Sequence, residues 1–555
     1  MPSQNLRTNE TKMTKYTFMC LVIITALMFF PALGAFGIMD PSDGLYAEAA
    51  REMIESQDYL TPHFNYAPFL EKPILVYWFI VASFKTFGVS ELAARLPAAL
   101  AALETIGFTY LTLGRFLGQR AIILCCLVMV SNLLFAVIGH LALTDMELTC
   151  FTTLAAFSFF QALNSPEKNP WQPLLVAYLC LTATFLLKGP VIIIIAAFAI
   201  VTNKLVLNRI DSRVSKQTLW QYLRKLQPVA GAALVGALAL PWYFIENAAT
   251  KGAFFQEFIV HQNLGRITGI VNHLEPWWFY LPYLACAFLP WTLLAPTAIR
   301  IVRRLFLKQR PLSDRSRLLV FSFTWALVSF TFFSLIRTKL PTYILPGVPA
   351  ACIFIGIVLD TISKRRLRPG NPALLSFALF FATIAFGGIA LLKSSYERLQ
   401  EPSGSALLGF TAAVIVCLCS AVLLARYLTR SKRFPALVVA GCWTMSVMLA
   451  VPSSLLLFYK LKHADFREMV LHYPNANLAT FWRDTTAGVF YHQKKVTLVS
   501  TIEDLRNFRE KTPGPHIIIV TKDLIPFLYL ESQQHAVRCI ESRGNISAFD
   551  LDVHS

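Results

Sequence analysis

The stretch Ile74-Leu75-Val76-Tyr77-Trp78-Phe79-Ile80-Val81-Ala82-Ser83-Phe84-Lys85-Thr86-Phe87 is apolar, rich in aromatic residues and interrupted by one lysine. How it is read sets the topology of everything after it. A bilayer crossing needs about 20 predominantly apolar residues, with shorter runs tolerated inside a bundle. Runs of that kind occupy 16–38, 92–113, 121–139, 148–163, 173–187, 191–207, 228–245, 279–299, 318–336, 343–362, 373–392, 405–425 and 436–459, thirteen in all. If 74–87 does not cross, these spans put the following on one side: the N-terminus with Arg7, Lys12 and Lys15, the pair Arg115 and Arg120, and the loops 204–225 and 300–317. The clusters 364–368 and 426–433 join them. Together they hold about half of the 50 Lys and Arg and few of the 32 Asp and Glu, the asymmetry of cytoplasmic loops. A crossing at 74–87 would split these clusters between two faces. The segment therefore reads as a juxtamembrane or re-entrant helix, the N-terminus as cytoplasmic and the C-terminus as outside.

Composition agrees with a polytopic α-helical membrane protein. Of 555 residues, 55% are apolar and 15% charged, with a mean hydropathy of +0.54, against about 25% charged in soluble domains. The net charge of +18 would suggest nucleic acid in a soluble protein; here it reports topology, and no nucleic-acid partner is expected. Ten of the eleven cysteines lie in or beside apolar runs and only Cys539 sits in polar sequence, so no disulfide framework is expected. A long first apolar run with no small-residue cleavage site after it argues against a cleavable signal peptide.

The character changes after residue 460. Short β-prone runs at 476–482, 496–499, 516–520, 537–540 and 546–551 alternate with helix-like stretches at 502–510 and 524–531. The chain thus divides into a membrane domain, 1–459, whose first outer loop is 39–91, and a small outer α/β domain, 460–555.

Polar residues that interrupt apolar sequence collect on the outer face. They are Asp40, Asp43, Glu48, Arg51, Glu52, Glu55, Glu71 and Lys72 in the first loop, then His140, Asp145 and Glu147, then Lys188 in Lys188-Gly189-Pro190. His261, Arg266, His273 and Glu275 follow, and finally Arg337, Lys339 and Tyr343. Ionisable groups at a membrane boundary are costly and tend to mark a site. Plainer readings stand beside that one. Asp43 is placed to cap a helix over 45–54, Asp145 to cap the next span, and Lys188 to snorkel from a span end. His261 fits a structural loop histidine, and Pro276-Trp277-Trp278-Phe279-Tyr280 an interfacial aromatic belt. Glu71 and Lys72 lie between Phe69-Leu70 and Pro73-Ile74, where a solvated pair has little reason to be.

Eight stretches in order resemble the bacterial branch of the protein O-mannosyltransferase superfamily, and within it the aminoarabinose transferases that decorate lipid A. They are Asp43-Gly44-Leu45-Tyr46-Ala47-Glu48 with Arg51-Glu52-Met53, Phe69-Leu70-Glu71-Lys72-Pro73, Leu143-Thr144-Asp145-Met146 and Leu187-Lys188-Gly189-Pro190. Leu240-Pro241-Trp242-Tyr243, His261 with Arg266, His273-Leu274-Glu275-Pro276-Trp277-Trp278 and the run from Lys339 to Pro346 complete them. The resemblance implies a type C glycosyltransferase fold of about thirteen spans with a periplasmic cavity and a soluble C-terminal α/β domain, in the bacterial inner membrane. It further implies a sugar donor on a polyprenyl (undecaprenyl) phosphate, the sugar being 4-amino-4-deoxy-L-arabinose in the nearest branch, and lipid A or another envelope glycolipid as acceptor.

Carried over by motif, Lys72, Arg266 and Tyr343 would bind the donor phosphate, Asp43 would act as base or orient the acceptor, and Asp145 would pair with Lys188 near the cavity. Glu71 and His261 match positions that hold a divalent metal, zinc or magnesium, in relatives, although two ligands alone make a poor zinc site. The chain departs from the aminoarabinose transferases where Ser42 and Leu45 stand in place of an acid and an arginine, and where Phe69 replaces a tyrosine. Transfer to Ser or Thr of proteins is the nearer alternative. A transporter is the more distant one, because broken helices with charges at the midplane are not what the pattern shows.

Overall fold

The computed structural model describes residues 2–166, 170–265, 274–306, 311–364, 436–481, 486–531 and 537–552, with a few further positions between 411 and 419. The expected spans 373–392 and 405–425, the cluster 426–433, and Arg266 and His273 lie wholly or largely outside the described residues.

Helix α1 (Pro2–Phe29) is followed by α2 (Ser42–Ser56), a two-stranded hairpin of β1 (His63–Phe64) and β2 (Ala67–Pro68), and α3 (Leu75–Phe87). Then come α4 (Glu91–Leu113), α5 (Gln119–Val130), α6 (Leu133–Ile138), α7 (Thr144–Asn164), α8 (Trp171–Lys188), α9 (Val191–Ile210), α10 (Leu219–Arg224) and α11 (Pro228–Ala249). A π-helix, Phe255–Leu264, precedes α12 (Tyr280–Ala287), α13 (Ala295–Phe306), α14 (Asp314–Leu335), α15 (Val348–Lys364) and α16 (Ala436–Lys462). Among the described residues eight helices are long and apolar enough to cross a membrane, and one bent pair makes a ninth. The chain is a multi-pass membrane protein. Side chains such as Phe244 and Leu111, 70% and 65% exposed, form the outward surface that lipid covers.

Helix α3 is shorter than the roughly 20 residues that a crossing usually takes. At about 1.5 Å per residue its 13 residues reach about 20 Å, and it packs instead on α2 and α4, with Trp78 Nε1 donating to Tyr59 O at 2.8 Å and the Lys85 amine 3.9 Å from the Tyr59 ring centre. Two expected continuous spans are broken. The run 121–139 divides at Ser131-Asn132, where the Asn132 side chain accepts from Phe135 N (3.1 Å) and starts a new helix. The run 279–299 bends by 93° between α12 and the segment beginning at Trp291; Pro290 withholds an N–H there. The run 343–362 opens as a 3₁₀ turn, Pro341–Gly347, before α15.

The two ends of the bundle differ in charge. At one end the fully buried carboxylate of Asp360 meets Arg315 (2.8 Å), Lys364 (2.9 Å) and Arg120 (3.8 Å), and buried Asp211 meets Arg317 (2.7 Å). These cations belong to segments that the basic-residue pattern placed on one side. The loops bearing Asp43, Lys72, Asp145, Lys188 and Tyr343 gather at the other end.

The segment after α16 forms a five-stranded mixed sheet in the order β4-β3-β5-β7-β6, with β3 (Asn477–Phe481), β4 (Val496–Val499), β5 (His516–Thr521), β6 (Arg538–Arg543) and β7 (Ile546–Asp550). Strand β3 runs parallel to β4 and β5, and β7 antiparallel to β5 and β6. Ile517 to Val520 are all buried, as a central strand covered on both faces requires. One face packs on Phe466 and Met469 of α17 (Ala464–His472) and Val489 of α18 (Thr486–His492). The other packs on Leu505 and Phe508 of α19 (Ile502–Lys511) and Leu528 of α20 (Ile525–Glu531). Helices α17 and α18 were not anticipated; they have only nine and seven residues.

Burial, with Lys494 nearby, pushes the His492 imidazole down to about 4. The fold therefore holds this residue neutral while the unfolded chain protonates it near pH 6.5. Stability from this group is complete above about pH 6.5 and is lost as the pH falls towards about 4. The thermal transition of the purified protein is expected to drop between pH about 7.5 and about 5, and His492→Phe to flatten that drop. Equal transition temperatures of the native protein at both pH values would contradict it.

Candidate active site

The first loop is organised around a buried ion pair. Arg95, in the first turns of α4, is fully buried. Its Nη2 donates to Asp43 Oδ2 (2.6 Å) and to Gly37 O (2.7 Å), its Nη1 to Leu33 O (2.9 Å) and Phe36 O (2.7 Å). Asp43 also accepts from Met39 N (3.0 Å) and Ala142 N (2.7 Å). The carboxylate thus ties the end of α1, the start of α2 and the approach to α7 together. It does not cap α2, whose N-cap is Pro41. A signal for Arg95 was in the sequence: an arginine at the start of an apolar run is expensive unless paired.

Along α2, Arg51 holds Glu48 in a two-pronged pair (2.7 and 2.8 Å) and reaches Glu55 (2.7 Å). Glu52 accepts from Tyr66 N (2.9 Å); burial, with Glu48 adding to it, pushes its carboxyl up to about 7. This acidic stripe fastens the β1–β2 hairpin to α2. Lys72 follows the hairpin by a few residues, its amine donating to Glu71 O at 3.2 Å.

Asp145 stands in the first turn of α7 and Lys188 in the last turn of α8. The amine lies 2.5 Å from Asp145 Oδ1 and 4.6 Å from the centre of the Tyr343 ring, with both partners of the ion pair largely buried. Gly189, at φ +80°, ends α8 there; a Cβ would stand 3.0 Å from the Phe258 ring, so the turn that presents Lys188 suits glycine. Lys72, Lys188 and Tyr343 line one cavity of about 210 Å³, together with Gln262, Asn263, Phe258, Ile194, Phe332, Phe333 and Ile336. Two cations and a phenol thus face a chamber that is apolar apart from Gln262 and Asn263, an arrangement suited to an anionic head on an apolar tail.

Asp43 does not line that cavity. His261 Nδ1 lies 3.1 Å from Glu257 Oε1, which also accepts from Gln262 Nε2 (2.9 Å). Burial pulls the Glu257 carboxyl up, but these two hydrogen bonds and the charge of Lys72 hold it below the usual range. Among the described residues no three His, Cys, Asp or Glu groups converge on a point. Glu71 and His261 therefore do not fit a tetrahedral metal site by themselves, and no step is derived through one. Lys339 is used otherwise, its amine donating to the carbonyls of Glu275 (2.8 Å) and Ile336.

Residues 71–242, which begin at Glu71-Lys72, match the dolichyl-phosphate-mannose-protein mannosyltransferase family model. Among curated proteins, an undecaprenyl phosphate-α-4-amino-4-deoxy-L-arabinose arabinosyl transferase of Shewanella sediminis is 28% identical over 371 residues, 66% of this chain and 64% of that protein. Its namesake in Pseudomonas aeruginosa is 29% identical over 398 residues, 70% of this chain and 67% of the relative. The chain is thus similar to proteins of the protein mannosyltransferase superfamily. It spans about two thirds of the length of these relatives. Its fold matches the crystal structure of ArnT from Cupriavidus metallidurans bound to undecaprenyl phosphate, with a TM-score of 0.76 over 96% of this chain and 97% of that one at 21% identity. That likeness gives the fold alone, a polytopic helical membrane fold of the type C glycosyltransferase kind.

Proposed function

We propose that the chain is a glycosyltransferase that moves a sugar, 4-amino-4-deoxy-L-arabinose, from undecaprenyl phosphate to lipid A or a related envelope glycolipid. In this reading the catalytic end and the C-terminal domain face the periplasm, the N-terminus is cytoplasmic and thirteen spans cross the inner membrane. The observation that carries the reading is the cavity in which Lys72, Lys188 and Tyr343 meet a wall of Ile194, Phe332, Phe333 and Ile336.

The acceptor oxygen attacks the anomeric carbon, the bond from that carbon to the carrier phosphate breaks, and the phosphate leaves with the electron pair. Charge grows on the leaving oxygen, and cations fixed beside it stabilise the transition state more than the ground state. Lys72, Arg266 and Tyr343 take that role, and Lys188, paired with Asp145, lines the same cavity as Lys72 and Tyr343. A phosphate acceptor is already ionised, so no base is needed. Asp43, locked by Arg95, then keeps the first loop in place rather than moving a proton.

The test is transfer by the purified protein from undecaprenyl phosphate-aminoarabinose to lipid A, read by mass spectrometry. Lys72→Ala is expected to lower kcat/KM by about 10- to 100-fold, since a hydrogen bond to a charged group contributes about 1.5–3 kcal/mol. Unchanged transfer by Lys72→Ala would sink the site assignment. Sugar found on Ser or Thr of periplasmic proteins, with lipid A unmodified, would replace the acceptor.

A further inference from the structure

The C-terminal domain grips the first loop at two places. At the start of the loop, Asp40 Oδ1 accepts from Ala487 N (2.7 Å) and Thr486 Oγ1 (2.9 Å) at the beginning of α18. Gly44 lies so close that a Cβ there would stand 2.7 Å from Ala487 N and 2.8 Å from the Thr486 carbonyl carbon. Tyr491 Oη accepts from Ile38 N (2.7 Å) and donates to Glu91 (3.0 Å), which Arg467 also reaches (3.2 Å).

The second grip is on the hairpin. Asn65 Nδ2 donates to Val496 O (2.8 Å) and its Oδ1 accepts from Val496 N (3.0 Å), so one side chain pairs with the edge of β4 as a neighbouring strand would. Tyr66 Oη donates to Gln493 O at 3.0 Å. The hairpin leads directly to the donor lysine. Phe69 N donates to Pro62 O (2.7 Å), the rings of Phe64 and Phe69 meet edge to face at 6.3 Å, and Lys72 comes three residues later.

We infer that the C-terminal domain is part of the donor site by proxy: Asn65, clamped to the edge of β4, is a positioning residue that holds Lys72 towards the cavity it shares with Lys188 and Tyr343. The inference rests on the reading of Lys72 as a donor-phosphate residue. Asn65 touches neither substrate; it fixes the base of a short lever whose tip carries the charge. Misplacement of a binding group by about 1 Å is enough to cost a large factor in rate or affinity.

The test is a double-mutant cycle on the full chain, measuring KM for undecaprenyl phosphate-aminoarabinose and kcat separately. Asn65→Ala is expected to lower kcat/KM for the donor by about tenfold, and to add nothing in a Lys72→Ala background, where there is no charge left to position. Val496→Pro removes one of the two hydrogen bonds, that from Val496 N to Asn65 Oδ1, at the first residue of a strand, where proline is tolerated; it should reproduce part of the effect and not add to Asn65→Ala. An unchanged kcat/KM in Asn65→Ala, or an effect that persists undiminished without Lys72, would make the contact merely structural and overturn the inference. An unchanged kcat/KM for Lys72→Ala itself would instead overturn the donor-site reading and this inference with it.

Discussion

Arg95→Ala is expected to destabilise the protein by about 3–5 kcal/mol, the loss found when one partner of a buried ion pair is removed, and to give aggregated material in place of a monodisperse species in detergent. The reason is the number of groups that one guanidinium serves. It neutralises the buried Asp43 carboxylate and gives donors to three carbonyls, Leu33, Phe36 and Gly37, in the turn that links α1 to α2. Its face also lies 4.0 Å from the centre of the Phe36 ring. Without it, three carbonyls and one anion are left inside the protein with no water to take over. Arg95→Lys keeps the charge but has no planar fork to reach four acceptors at once, so it should recover only part of the loss. Asp43→Asn removes the charge while keeping an oxygen to accept from Met39 N or Ala142 N; it should cost about 1–3 kcal/mol. Thermal unfolding of the three variants, followed by size-exclusion chromatography, checks the order. Equal stability of Arg95→Ala and the native protein would show that the pair carries no such load.

The buried pair also shows where the sequence stops being legible. The spans among the described residues followed from hydropathy because each helix must present some 20 apolar residues to lipid; the Asp360 and Asp211 clusters draw their cations from segments that the basic-residue pattern grouped together. The strands β3, β4, β5 and β7 fall within two residues of their apolar runs for a similar reason, since a strand covered on both faces reads as a short continuous β-prone run. What could not be read was partnership. Asp43 looked like a helix cap or a base because both roles are local, whereas its partner is 52 residues away inside an apolar run. The breaks at Asn132 and Pro290 were hidden by continuous hydropathy, which reports burial but not direction. Asn65 was silent for the same reason: an asparagine in a turn is ordinary, and only the edge of β4 brought against it makes it a clamp. Lys188 and Tyr343, 155 positions apart in the chain, were named from motifs, and the fold brings them to one cavity.

Lys188→Ala is expected to lower kcat/KM for the polyprenyl-phosphate donor by about 10³-fold, roughly 4 kcal/mol of transition-state stabilisation. Two effects act in the same direction. The variant removes a cation from the wall of the chamber, and it leaves the Asp145 carboxylate, formerly 2.5 Å from the amine, as an uncompensated negative charge near a site that must hold a phosphate. The second effect can be separated from the first. Asp145→Asn with Lys188 intact leaves the amine free to face the donor and should change kcat/KM by no more than about tenfold, a loss of positioning rather than of charge. The double variant Asp145→Asn with Lys188→Met, having neither charge, should be more active than Lys188→Ala alone, because the orphaned anion is gone. The coupling energy of that cycle measures how much of the single-variant defect is repulsion. Additive effects in the double variant would mean that the two side chains act independently, which a 2.5 Å ion pair beside the Tyr343 ring does not allow. Raising the salt concentration should narrow the difference only slightly, since both groups are mostly shielded from solvent and screening acts weakly on buried charges.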